Sequence, residues 1–356
     1  MTLKSKIEST LLIIALLTSN GYCCSTVFSN NNGISPTVAR TMDLYISDMP
    51  SLVIYSRNID RYGNTGDNSL KWKSKYGSIV VTAFNSNAAS DGMNEKGLAA
   101  HLLYLSETKY PKIDNSEPSL SNLLWAQYVL DNFKTVNDAL QAINKFQIVA
   151  TKLHGKTWPI HLAIEDSNGD SAVIEYIEGK MKVYHGHNYR VMTNEPAYTI
   201  QLNNLKKYRS FGGNLPIPGD PDPLSRFVRA SYYLHSLPNA TNNQDAIAGV
   251  FSIIRTVMVP FGAVDTSGNK TEDAWPTRWV TIADLKNKMF FFNSTITPNL
   301  IWVDLAKFDF SSKIRSESIN PLDVSLVGDI SEKLGAEKKL TLYKNIQNLK
   351  QLIQEL

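Results

Sequence analysis

The chain has 356 residues, 43% of them hydrophobic and 19% charged, with a formal net charge of +3. That length and apolar content can build a large core, as one large domain or two. The near-neutral charge and the lack of a basic tract interleaved with aromatics exclude nucleic acid as an implied partner. The two cysteines, adjacent at Cys23 and Cys24, leave no disulfide framework.

Residues 1–23 read as a secretory signal peptide: Lys4 and Lys6, an apolar run over 11–17, then small and polar residues up to Cys23. The run is too short to anchor stably in a bilayer. Gly21 and Cys23 are the small residues that cleavage before Cys24 requires. A lipoprotein signal expects a small residue directly before the modified cysteine and an aliphatic one three before it, and residues 20–23 fit neither cysteine. The expected product is a periplasmic or secreted bacterial protein, residues 24–356 as a single domain, with net charge +2 and no membrane span.

Cleavage there makes Cys24 the first residue, which places a nucleophile and a base on one amino acid. The α-amine titrates near ~7.7–8.0 and the thiol near ~8.5. The amine can therefore take the thiol proton directly or through one water. Sixteen residues on, Arg40-Thr41-Met42-Asp43 offers a carboxylate to orient the amine and a guanidinium to favour thiolate.

In chain order, 24–29, 38–45 and 52–59 read as strands, with the Asn-rich stretch ending at Gly33 as the first turn. Residues 77–84 and 97–105 read as two more, joined by a turn over 87–92, so that sequential hairpins make an N-terminal antiparallel sheet. Helical periodicity follows over 119–133 and 135–146. Strands resume at 161–165, 171–177, 180–185 and 190–193, with a hairpin turn at Asp166-Ser167-Asn168-Gly169. A short helix over 202–208, a Gly/Pro-rich loop over 212–223 and helices over 225–237 and 245–257 come next. Strands at 279–284, 289–294 and 301–304 precede an amphipathic helix over 343–356, and residues 310–356 form a C-terminal extension that could serve an interface. The pattern by itself supports an α+β fold.

Four blocks carry a family signature: Cys24 with the Arg40–Asp43 string; Asp91-Gly92-Met93-Asn94-Glu95-Lys96-Gly97-Leu98; Val191-Met192-Thr193-Asn194-Glu195-Pro196; and Ser225-Arg226-Phe227-Val228-Arg229. Their order and spacing resemble the choloylglycine hydrolase and penicillin V acylase family of N-terminal-nucleophile cysteine hydrolases. The resemblance implies a four-layer αββα sandwich and an amidase acting on a small N-acyl substrate. It makes Cys24 the nucleophile, Asn194 the side-chain donor to the oxyanion and Arg226 the residue that sets the charge around the thiol, with Arg229 on the surface. The span from Asn194 to Arg226 resembles the Gram-negative penicillin V acylase branch, some members of which process acyl-homoserine lactones. That branch often carries a tryptophan after the Arg-Thr-Met-Asp string. Leu44 stands there and is expected to shape the acyl pocket. The family completes the oxyanion hole from the backbone after the Gly-Leu strand; over 104–110 the residue in the nearest position is Glu107. A homotetramer is left open.

The histidines at 101, 154, 161, 185, 187 and 235 show no metal spacing, and no metal or cofactor is expected. A papain-like protease would need a catalytic histidine held by Asn or Asp, and none has that context. A processed but inactive binding module of the same fold remains the alternative to an acylase for penicillin V, homoserine-lactone or bile-conjugate amides.

Overall fold

A computed structural model describes residues 23–30, 33–114, 116–265, 272–311 and 316–335. Two sheets lie face to face. Sheet I has the order Val191–Met192, Cys23–Ser29, Thr37–Asp43, Thr277–Asp284, Met289–Ser294, Leu300–Asp304, Gly328–Asp329. Sheet II has the order Lys180–His185, Ser171–Ile177, Ile160–Asp166, Leu98–Tyr104, Ala89–Asn94, Ser78–Thr82, Ser51–Tyr55, Ser316–Ile319. Helices α1 (Trp125–Asn132) and α2 (Val136–Ala142) cover the outer face of sheet II. The short α3 (Tyr198–Leu205) leads into α4 (Pro223–His235) and α5 (Asn243–Arg255), which cover sheet I. The layers are helix, sheet, sheet, helix, the αββα sandwich of the N-terminal-nucleophile hydrolases. No helix among the described residues is long and apolar enough to cross a membrane.

Side-chain alternation explains why four layers are needed. In Leu98–Tyr104, Leu98, Ala100 and Leu102 pack against α1 and α2, while Ala99 and Leu103 face sheet I. A strand buried on both faces needs cover on both, and each fully buried Leu, Ile or Phe contributes about 1.5–3 kcal/mol. Trp125 and Leu130 of α1 supply that cover outside, and Phe28, Leu52 and Ile54 fill the space between the sheets.

The 166–169 hairpin occurs where the turn residues put it. Gly169, at φ +84°, closes the 166–169 turn with its N–H on the Asp166 carbonyl at 3.0 Å. The single N-terminal sheet, however, is not what forms. Cys23–Ser29 and Thr37–Asp43 belong to sheet I, and from Ser51 the chain builds sheet II, so the expected sheet is split between two layers. The expected 87–92 turn is mostly strand. Gly92 lies within Ala89–Asn94, where a Cβ would come 2.5 Å from the Ile79 carbonyl. This glycine permits close strand approach instead of turning the chain.

The expected 119–133 helix begins only at Trp125, because Ser119–Ser121 pairs in parallel with Gln147–Val149. The short helix lies at Tyr198–Leu205, earlier than expected. The 60–73 stretch forms a small hairpin, Asp60–Tyr62 with Lys71–Lys73, that the sequence reading did not separate. Within 310–335, Ser316–Ile319 edges sheet II beside Ser51–Tyr55 and Gly328–Asp329 edges sheet I, so this part of the extension belongs to the sandwich. The expected 343–356 helix and the signal peptide up to residue 22 lie outside the described residues.

Candidate active site

The site is built by strand register. Cys23–Ser29 and Thr37–Asp43 form one antiparallel hairpin in which Cys24 faces Met42 and Thr26 faces Arg40. The strand Val191–Met192 pairs on the other side, Met192 with Thr26. Continuing that register brings Asn194 opposite Cys24, 170 residues away in sequence. Asn194 is fully buried, and its Oδ1 accepts from the Cys24 nitrogen and, at 3.1 Å, from Arg226 Nη2. Its Nδ2 donates to the Tyr104 carbonyl of sheet II at 2.8 Å. An amide nitrogen carries two hydrogens, so one remains to be aimed elsewhere.

Arg226 sits in the first turn of α4. Asp222 caps this helix by accepting from the Ser225 N–H at 3.0 Å. A cation there opposes the helix dipole, and its fixed partners explain the placement. The guanidinium donates to the Cys24 carbonyl (2.8 Å), to Ser25 Oγ (2.6 Å) and, through Nε, to the Pro221 carbonyl (2.8 Å). Arg229, expected at the surface, is half-buried and ties the Pro218, Asp220 and Thr256 carbonyls together.

Asp43 is fully buried beneath these groups. Its carboxylate accepts from Thr277 at 2.6 Å and from Thr41 at 3.1 Å, and lies 3.8 Å from Arg226. Burial outweighs these partners and pushes Asp43 up to about 7. The Cys24 thiol is free and buried. Burial raises its pKa and Asp43 adds to this, while Arg40, the Asp43 backbone N–H and Arg226 oppose the rise.

The thiol opens on a pocket of about 80 Å³. One wall holds Cys24, Arg40, Met42, Asp43 and Leu44; the other holds Phe84, Ala88, Leu123, Leu153, Trp158 and Ile160. Phe84 and Trp158 lie with ring centroids 4.9 Å apart, and His154 Nε2 joins the two loops at 2.9 Å from the Phe84 carbonyl. Leu44 thus lines this cavity. Glu107 does not: its carboxylate accepts from the Ala197 N–H at 2.7 Å, outside the pocket lining. Over the same stretch the Leu105 N–H is taken by the Pro159 carbonyl at 3.0 Å.

Sequence reading missed Tyr104, Thr277, Phe84 and Trp158. Tyr104 ends a recognisable strand and could have been suspected. Thr277 lies 234 residues from the carboxylate it serves, and no local signal marks it. Among the described residues, no group of three or more His, Cys, Asp or Glu could hold a metal. His185 pairs with Asp170 at 2.8 Å, and His187 faces the Gly169 carbonyl at 2.8 Å.

Residues 23–318 match the linear amide C–N hydrolases of the choloylglycine hydrolase family. The chain belongs to this family. It is 40% identical to a penicillin V acylase of Pectobacterium atrosepticum over 300 residues, 78% of this chain and 79% of that one. A bile salt hydrolase/transferase of Clostridium perfringens is 26% identical, over 75% of this chain and 88% of its own. The solved penicillin V acylase of Agrobacterium tumefaciens superposes with a TM-score of 0.78 at 38% identity, covering 89% of this chain and 98% of that one. The protein is a linear amide hydrolase of the penicillin V acylase and bile salt hydrolase type.

Proposed function

We propose that the protein is exported, is cut before Cys24, and hydrolyses an N-acyl amide bearing a hydrophobic or aryl-acyl group through a thioester on Cys24. One observation carries this reading. The Cys24 thiol forms the floor of an apolar pocket while its own backbone nitrogen is held by Asn194 and its carbonyl by Arg226. With residue 23 attached, that nitrogen is an amide and cannot act as a base. Cleavage converts it to an amine with a usable pKa near ~7.7–8.0.

The chemistry then follows from the groups present. The amine takes the thiol proton and the sulfur attacks the acyl carbon. The second N–H of Asn194 is free to meet the resulting oxyanion. Collapse transfers the proton to the departing amine and leaves a thioester, which water, activated by the same amine, hydrolyses to the acid. The aromatic pair of Phe84 and Trp158 supports a flat or extended acyl group, as in penicillin V, acyl-homoserine lactones or bile conjugates, and the similarity to penicillin V acylases favours the first.

Intact-mass measurement of the exported protein should give a chain starting at Cys24, and iodoacetamide should remove hydrolysis of penicillin V in proportion to labelling of Cys24. Full turnover by a chain that retains residue 23, or after complete labelling, would overturn the proposal. Labelling of a processed chain that hydrolyses none of the three amide types would favour a binding module.

A further inference from the structure

Behind Arg40, three buried titratable side chains lie in a row between the sheets. Asp91 and His101 are cross-strand partners in sheet II, with His101 Nδ1 2.5 Å from Asp91 Oδ1. His101 Nε2 lies 3.1 Å from Glu165 Oε2 on the next strand, and all three residues are at most 3% exposed. The other Asp91 oxygen accepts from Thr281 of sheet I, and Thr281 is the cross-strand neighbour of Arg40. The row therefore joins the second sheet to the strand that carries Arg40.

The ladder itself is broken where Arg40 arrives. Val81 pairs with Asp91 and Thr82 with Ala89, so Ser90 is an extra, bulged residue. The pairing of Ala89–Asn94 with Leu98–Tyr104 stops at Asp91 and His101; the next pair would be Ser90 with Leu102. Arg40 occupies that gap from the opposite sheet. Its Nη1 donates to the Ser90 carbonyl at 3.2 Å and its Nη2 to the Leu102 carbonyl at 3.1 Å. Ser90 and Leu102 flank Asp91 and His101 in sequence, so a shift of either acidic or imidazole side chain moves the seat of the guanidinium.

We infer that Asp91, fixed by His101, Glu165 and Thr281, is a positioning residue that holds the Arg40 guanidinium in the pocket lining it shares with Cys24. The inference rests on the reading of Cys24 as nucleophile. The other charged groups are accounted for. Asp48 accepts from Trp279, the ring on which Arg40 stacks at 4.9 Å. Asp43 and Arg226 act on the thiol through their charges, Asp43 raising and Arg226 lowering its pKa, and the charge of Asp166 raises Glu165.

The sign of one shift separates positioning from a bare field. An Asp91→Asn change that merely removed a negative charge would lower the thiol pKa. If Asp91 seats Arg40, its loss releases the guanidinium and the thiol pKa rises, by about one pH unit for a charge displaced from a few ångströms. The experiment measures the iodoacetamide labelling rate of Cys24 against pH on the processed enzyme, with kcat and KM for penicillin V alongside. Asp91→Asn should move the labelling midpoint upward by about one unit and lower kcat about tenfold, with KM within twofold. Arg40→Lys should move it likewise, and the double variant should add little.

Thr281→Val, which deletes one hydrogen bond, should give a smaller shift of the same sign and keeps the test available if Asp91→Asn fails to fold. A downward shift, an unchanged midpoint with only a lowered melting temperature, or full additivity with Arg40→Lys would overturn the inference. Labelling of wild-type Cys24 without loss of hydrolysis would instead remove the nucleophile reading on which it stands.

Discussion

The two walls of the pocket are made differently. The polar wall is strand: Cys24, Arg40 and Asp43 are placed by antiparallel register, and outside the pocket lining Asn194 and Arg226 hold the Cys24 backbone, the guanidinium on four acceptors. The apolar wall draws Phe84, Ala88 and Trp158 from loops, and Leu153 and Ile160 from strands. Phe84 and His154 both adopt positive φ, at 57° and 51°, and Trp158 follows a two-residue hairpin turn. Strands fix reacting groups to fractions of an ångström, whereas loops can change shape without disturbing them. On the proposed reading, substitutions among the strand-held polar groups should act on turnover and those at Phe84 and Trp158 on substrate binding.

The sharpest break comes from the polar groups. Asn194→Ala should lower kcat by ~10²–10³, the scale of a single oxyanion donor, with little change in KM. Steady-state kinetics with penicillin V check this; a raised KM at unchanged kcat would assign Asn194 to substrate binding instead.

The next effect is on stability. Asp43 titrates near 7 in the fold against about 3.9 in an unfolded chain. The folded state therefore holds the extra proton between these values, and the Asp43 contribution falls as pH rises from about 4 to 7. Asp43→Asn, in a chain that retains residue 23, should remove that decline. The difference from wild type should grow with pH by at most about 1.4 kcal/mol per unit in that window, read from urea denaturation at pH 5 and 7.

The apolar wall should respond in KM. Trp158→Ala removes one member of an aromatic pair worth about 0.5–1.5 kcal/mol beyond its area. It should raise KM for an aryl-acyl amide up to about tenfold while kcat stays within twofold. His154→Ala deletes only the link between the loops and should change KM about twofold to fivefold, as expected for one hydrogen bond of roughly 0.5–1 kcal/mol. A large fall in kcat from either change would break the division between the walls.

The local sequence determined what short-range chemistry determines. Turn residues at 166–169 set a hairpin, apolar periodicity gave α4 and α5, and the first hairpin alone brings Cys24, Arg40 and Asp43 onto adjacent strands. The Asn194 and Arg226 blocks could be recognised as motifs, but their meeting with Cys24 depends on a strand pairing and a helix packing that no local pattern encodes. Only the tertiary structure decided that the chain leaves sheet I after Asp43, builds sheet II, and returns first at Val191–Met192 and again at Thr277, which satisfies the Asp43 carboxylate. The same holds for the gap at Ser90, filled by a guanidinium from the opposite sheet, and for Phe84 meeting Trp158. Alternation and turn chemistry act over a few residues. Burial of charge depends on which distant strands face one another, and that is settled only when both sheets close over a common core.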